Sequence, residues 1–372
     1  MRETRRDPIS LLIVGALVAL GAAQGQRPAD DLPEETRALL RNRLQFSDAT
    51  VAALTRGEVI RRTLEPSNAE EIVAVGAVRA RVPREFLIDR IRDIVAFKRS
   101  QYVLEIGTFS APPRLEDLAR LTVPAEDVDA MRQCKPGDCK LKLTAGMLGR
   151  LQREVDWSKP DARVKGTTLF KQLLVERAAN YLSGGSQTLG TYIDKSDSTA
   201  MSEGLAGLLT ASPYLMDYAP ELRRFYDQFP NAQLPDAESF LYWSKESFAL
   251  KPVIGLTHLT IFTKSFGGAR VTLVASRGLY TSHYFEGSLA LTIVSEARSA
   301  SPPAVYLVYI NRSRVDALTG AFSGLRRWIA VRRVRDGMEA TLNALKERLE
   351  KDYLSQRTSS PTTISPSSST TP

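Results

Sequence analysis

The chain has 372 residues, 43% of them hydrophobic and 25% charged, with a formal net charge of +8 at pH 7. That composition excludes a disordered or low-complexity protein and leaves room for one large domain or two ordinary ones. The positive balance favours anionic lipid or cell-wall polymer as a contact over acidic proteins, and no motif supports nucleic acid.

Residues 1–25 have the layout of a secretory signal: Arg2, Arg5 and Arg6 form a basic start, residues 9–23 carry no charge, and Gly21, Ala22 and Ala23 suit a signal peptidase. About fifteen apolar residues fall short of the roughly twenty needed to cross a bilayer. The segment is therefore expected to be cleaved and the mature chain to be periplasmic or secreted, with an uncleaved N-terminal membrane anchor as the alternative. Residues 26–56 read as a polar lead-in with a helix over 34–43.

Strand-like runs follow over 58–64 and 71–78, separated by the turn-forming Pro66-Ser67-Asn68. Pro83 opens a helix in which Phe86, Leu87, Ile91, Ile94 and Val95 recur at helical spacing, and residues 102–109 return to strand. Residues 111–239 read as a helical insertion, with helices at 115–118, 126–131, 145–155, 161–182, 202–209 and 219–228, placed to cap or fill a cavity. The aromatic stretch 240–248, which contains Trp243, packs a loop onto its domain, lines a ligand cavity or contacts a membrane interface. Five strands are predicted at 253–263, 270–276, 279–285, 289–294 and 305–310, with Gly267-Gly268 as a hairpin turn. A final helix of about 25 residues puts Val331, Val334, Met338, Leu342, Leu345 and Leu349 on one face. Residues 356–372 are almost entirely Ser, Thr and Pro and are predicted to be disordered.

The two cysteines lie in Cys134-Lys-Pro-Gly-Asp-Cys139, where Pro136-Gly137 fits the centre of a type II turn. A structural disulfide is expected in an oxidising compartment. Two thiols with no nearby histidine make half a zinc site at most, and redox pairs of the thioredoxin type have two intervening residues, not four.

There are only two histidines. Alternation puts His258 on a face with Leu256, Thr260 and Phe262, and His283 on a face with Leu279, Thr281 and Phe285. If these strands are neighbours, both imidazoles face one cavity beside Tyr284, an arrangement usable for acid–base chemistry. The other reading makes each a hydrogen-bonded sheet residue. The sequence has no Gly-x-Ser-x-Gly, no His-Glu-x-x-His and no phosphate-binding glycine run. No catalytic residue, metal ligand or cofactor is assigned, and the chain reads as a binding protein more than an enzyme.

Three features carry a family resemblance: Ala304-Val-Tyr-Leu-Val-Tyr-Ile-Asn311, the loop through Gly320 and Gly324 that leads into the last helix, and Val78-Arg-Ala-Arg-Val-Pro-Arg-Glu-Phe86. With the insertion set aside, this order resembles the helix-grip fold of START-like and Bet v 1-like proteins. The expected class is α+β: a helix-grip-like antiparallel sheet packed on a long C-terminal helix, formed by residues 57–110 and 240–355. The resemblance implies a cavity for a hydrophobic small molecule or lipid, with His258, His283, Tyr284, Tyr306 and Trp243 as candidate lining residues. The whole chain is also similar to a group of exported bacterial proteins, sharing stretches such as Tyr242-Trp243-Ser244-Lys245-Glu246, a likeness that implies no activity. Residues 326–351 carry eight basic against four acidic side chains, which suits docking on anionic lipid and gives an envelope scaffold as the competing function.

Overall fold

The computed structural model describes residues 31–196, 200–247, 251–318 and 323–359. The predicted signal segment at 1–25 and all of the Ser/Thr/Pro tail beyond residue 359 lie outside the described residues. Helix α1 (Glu34–Ala38) runs on through one π-helical turn, and α2 (Asp48–Thr55) starts at Ser47, whose side chain accepts the Thr50 N–H. Strands β1 (Ile60–Leu64) and β2 (Glu71–Ala80) precede α3 (Arg84–Arg92), α4 (Ile94–Phe97) and β3 (Val103–Thr108). Pro83 stands at the N-cap of α3, and Asp93 caps α4 by accepting the Ala96 N–H.

The insertion is helical, as its sequence pattern predicts. A 3-10 turn at Leu115–Leu118 is followed by α5 (Ala125–Gln133), α6 (Ala145–Glu154), α7 (Ala162–Gly184), α8 (Met201–Thr210), α9 (Pro213–Tyr218) and α10 (Pro220–Asp227). The chain then forms β4 (Glu238–Ser247), β5 (Pro252–Phe266), β6 (Ala269–Thr281), β7 (Phe285–Glu296), β8 (Val305–Val315) and α11 (Ser323–Ser359).

All eight strands join one antiparallel sheet in the order β1-β2-β8-β7-β6-β5-β4-β3. The class is α+β: an open sheet with a C-terminal helix and further helices elsewhere. Gly267 and Gly268, at φ 56° and 82°, form the two-residue turn between β5 and β6. Two elements differ from the sequence expectation. The aromatic stretch is not a loop but β4, and residues 270–285 do not break at Gly278. There β6 continues, with a register shift opposite Leu256 and Thr257, and the missing Cβ lets Ser288 approach, since a Cβ on Gly278 would lie 2.5 Å from the Ser288 Oγ.

Side-chain alternation gives the sheet two faces. On the outer face Val75, Trp243, Leu273, Leu291 and Ile310 share one core with the N-terminal helices and the insertion. On the inner face Val78, Ile261, Val294 and Leu307 pack with α3, α4 and the α11 residues Leu342 and Leu349. The insertion is fastened to the far end of β8 through buried Lys142, whose Nζ lies 3.1 Å from Asp194 and 2.7 Å from Asp316. Among the described residues no helix is long and apolar enough to cross a membrane.

The Cys134–Cys139 disulfide is formed. Gly137 has φ 81° and the Asp138 N–H donates to the Lys135 carbonyl at 3.0 Å, which is the type II turn that the sequence predicts. Two stability predictions follow from this packing. Gly76 lies under α11, where an added Cβ would sit 2.5 Å from Leu342 Cδ1 and 2.7 Å from Met338 Sδ. Gly76→Val is expected to destabilise the protein by about 1–3 kcal/mol through overpacking, read from the denaturant midpoint; an unchanged midpoint contradicts this seating of the helix. Cys134→Ser is expected to cost about 2 kcal/mol in the same assay, the chain-entropy value for so short a loop.

Candidate functional site

The inner face is covered unevenly. One end is sealed by α3, α4 and the second half of α11. Over the rest, Thr257, Ser276, Ser288, Ala290, Thr292, Tyr309 and Asn311 remain half-buried, although they stand on β5 to β8, in the interior of the sheet. Register places them on adjoining rungs: Leu259 is opposite Ser276, Ser276 opposite Ala290, and Ala290 opposite Asn311, while Thr292 is opposite Tyr309 on the next inner rung. Apart from Tyr309 the side chains here are small. Helix α11 packs chiefly over β1 and β2, and its Val331, Val334 and Met338 are only half-buried. These hydroxyl and amide groups of β5 to β8 form a half-buried polar strip on the inner face, beside the half-buried apolar row of α11. A separate surface depression of about 290 Å³ lies between β1, β2 and the first turns of α11, lined by Thr63, Ile72, Arg327, Trp328 and Val331 and by no residue of β5 to β8.

A buried polar cluster stands on the β4 side. Lys98, which follows α4, places Nζ 2.7 Å from Glu246 Oε1 and 3.4 Å from the Tyr242 Oη. The Ser244 hydroxyl donates to the same Glu246 oxygen at 2.6 Å. Burial opposes both charges, yet each partner outweighs it: Glu246 holds Lys98 above its usual range, and Lys98 holds Glu246 below the usual carboxylate range. Burial pushes the Tyr309 phenol up to about 12, against the pull of Lys98. Tyr309 is on β8, and three strands separate it from β4.

The residues singled out in the sequence lie elsewhere. His258 is on the outer face and 1% exposed, between the Tyr181 hydroxyl at 2.7 Å from Nδ1 and the Ser239 hydroxyl at Nε2. Trp243 is also on the outer face, packed on Gly107, with its indole N–H donating to the Asp117 carbonyl at 2.9 Å. The Tyr306 hydroxyl donates to the Asp31 carboxylate beneath Arg79. His283 follows β6 and donates from Nε2 to buried Asp127 at 2.9 Å, and Tyr284 beside it takes a left-handed φ of 63°. The structure thus brings His283 and Tyr284 together in one turn, while the two histidines have separate partners and none of these five side chains belongs to the polar strip. The strip residues and Lys98 were missed. Their one sequence signal is the polar half of the alternation in β6 to β8, which reads equally well as an ordinary solvent face.

Burial drives the His258 pKa down to about 3, and the nearby positive charge of Arg277 adds to the effect. The folded value is below the unfolded one, so the neutral ring's contribution is complete above about pH 6.5 and is lost as pH falls toward 3, by about 1.4 kcal/mol per pH unit. His258→Gln is expected to flatten the fall in unfolding midpoint between pH 6.5 and 4; an unaltered slope contradicts a neutral, sealed imidazole. Comparison of the chain with family models, with curated proteins and with solved structures finds no match.

Proposed function

We propose that this is an exported binding protein for an amphipathic small molecule, seated between the inner face of the sheet and α11. The observation that carries the reading is the group of half-exposed Ser, Thr and Asn side chains on interior strands, where a packed domain has apolar residues. A buried hydroxyl without a partner is costly, so such a floor suits water or a ligand with polar groups of its own. Val331, Val334 and Met338 offer the apolar part of the same guest a wall.

The helix-grip reading is supported by the strand order. Leaving β1 aside, the first strand lies beside the last, two helices separate it from β3 at the opposite edge, and a long helix follows β8. The likeness to START-like proteins adds lipid or another hydrophobic molecule as the ligand class, and the polar floor adds a head group. Export rests on the signal-like pattern of residues 1–25 and agrees with a disulfide in the mature chain. A hydrolase that uses His258 and His283 together is less well supported, because each ring is engaged with its own partners.

The test is native mass spectrometry of the purified chain with solvent extraction of whatever it carries. Wild type is expected to hold a small molecule that Ser276→Phe, with its floor filled, does not hold, while both give cooperative unfolding. Bare wild-type protein from several preparations, or equal occupancy in the variant, contradicts the proposal.

A further inference from the structure

We propose that the first half of α11 docks the protein on an anionic lipid bilayer, with Trp328 and Ile329 entering the head-group layer and Arg332 and Arg333 meeting lipid phosphates. This needs no ligand on the inner face, although Trp328 also borders the depression between α11, β1 and β2. Trp328 is 59% exposed and Ile329 38% exposed, side by side on one helix. At 3.6 residues per turn they lie in one broad arc of α11 with Arg332 and Arg333, and Trp328, at the edge of that arc, also borders the depression lined by Val331 of the sheet-facing row. The helix is fixed in this rotation, because the Arg327 guanidinium donates to the Ala69 and Glu71 carbonyls at 2.7 and 3.0 Å.

Charge complementarity selects the occupant. Residues 324–336 contain five arginines against the single acid Asp336. The Arg332 guanidinium lies 5.6 Å from the Trp328 ring centroid, a stacking that keeps a cation beside an indole at the height where head groups meet acyl chains. Its ion pair with Asp336 is long, at 3.8 Å, and both partners are more than half exposed, so a field of phosphates can compete for it. A protein partner fits less well. Two exposed apolar side chains are a small core beside the roughly 1,000 Å² that a stable protein interface buries. A bilayer needs no matching shape: an indole and an aliphatic side chain supply the apolar contact, and the diffuse negative surface supplies the rest.

The experiment is flotation of the full chain with vesicles of phosphatidylcholine alone and with vesicles in which part of it is replaced by phosphatidylglycerol. Binding is expected only to the anionic vesicles, and it should fall steeply with added salt. Each arginine near such a surface accounts for about a fivefold change in partitioning, so Arg332→Gln with Arg333→Gln is expected to weaken binding about 30-fold. Trp328→Ala with Ile329→Ala should also weaken it, and both double variants should keep the wild-type unfolding midpoint because the side chains are exposed. No flotation, equal flotation on neutral vesicles, or variants that float like wild type overturn the proposal. A concentration-dependent dimer in light scattering that the same variants abolish overturns it too, and assigns the face to a second copy of the chain.

Discussion

Everything in this structure follows from the two-sidedness of a wide antiparallel sheet. Eight strands in one layer expose two faces, and the period-two backbone sends alternate residues to each. On the outer face those residues are Leu, Ile, Val, Trp and Tyr, each worth about 1.5–3 kcal/mol when buried. That face has to be covered over its whole width, and the chain covers it with its N-terminal helices and its helical insertion. The same insertion cannot also close the inner side. Its attachment is polar as well as apolar: Lys142 reaches Asp316 beyond β8, and buried Arg177 donates to the Leu279 carbonyl at 3.2 Å.

The inner face obeys the opposite rule. Ser276, Ser288, Thr292 and Asn311 stand where the outer face has Ala275, Leu289, Leu291 and Ile310. Such side chains do not draw a helix onto themselves, and α11 settles over β1 and β2, where Gly76 lets Leu342 and Met338 approach. The partial exposure of that strip is thus the physical consequence of short polar residues on one rung set and a glycine on another. On the β4 side of the same face Lys98 and Glu246 keep each other charged despite burial.

Local features were legible in the sequence. The Pro136-Gly137 turn, the Gly267-Gly268 hairpin, the start of α3 after Pro83 and the insertion helices other than α9 depend on residues close together in the chain, and they lie close to where the pattern puts them. Alternation also placed His258 correctly on a face with Leu256, Thr260 and Phe262. It could not say which face that was. Face identity is set by what packs there, and Tyr181, which fixes His258, is 77 residues away in α7. The polar strip was illegible for a related reason: Ser276, Ala290 and Asn311 become neighbours only through the register of three strands. Gly278 misled in a different way, reading as a strand end when its missing side chain instead admits Ser288.

The central claim is that one face of the sheet is sealed across its width and the other only at one end, and thiol accessibility tests it most directly. The native cysteines are paired with each other, so a single introduced thiol is the sole reporter. In the folded protein Ser276→Cys and Ala290→Cys are predicted to react readily with a maleimide, whereas Ala275→Cys, on the opposite face of the same strand as Ser276, reacts only on unfolding. Equal protection of positions 275 and 276 would contradict the account.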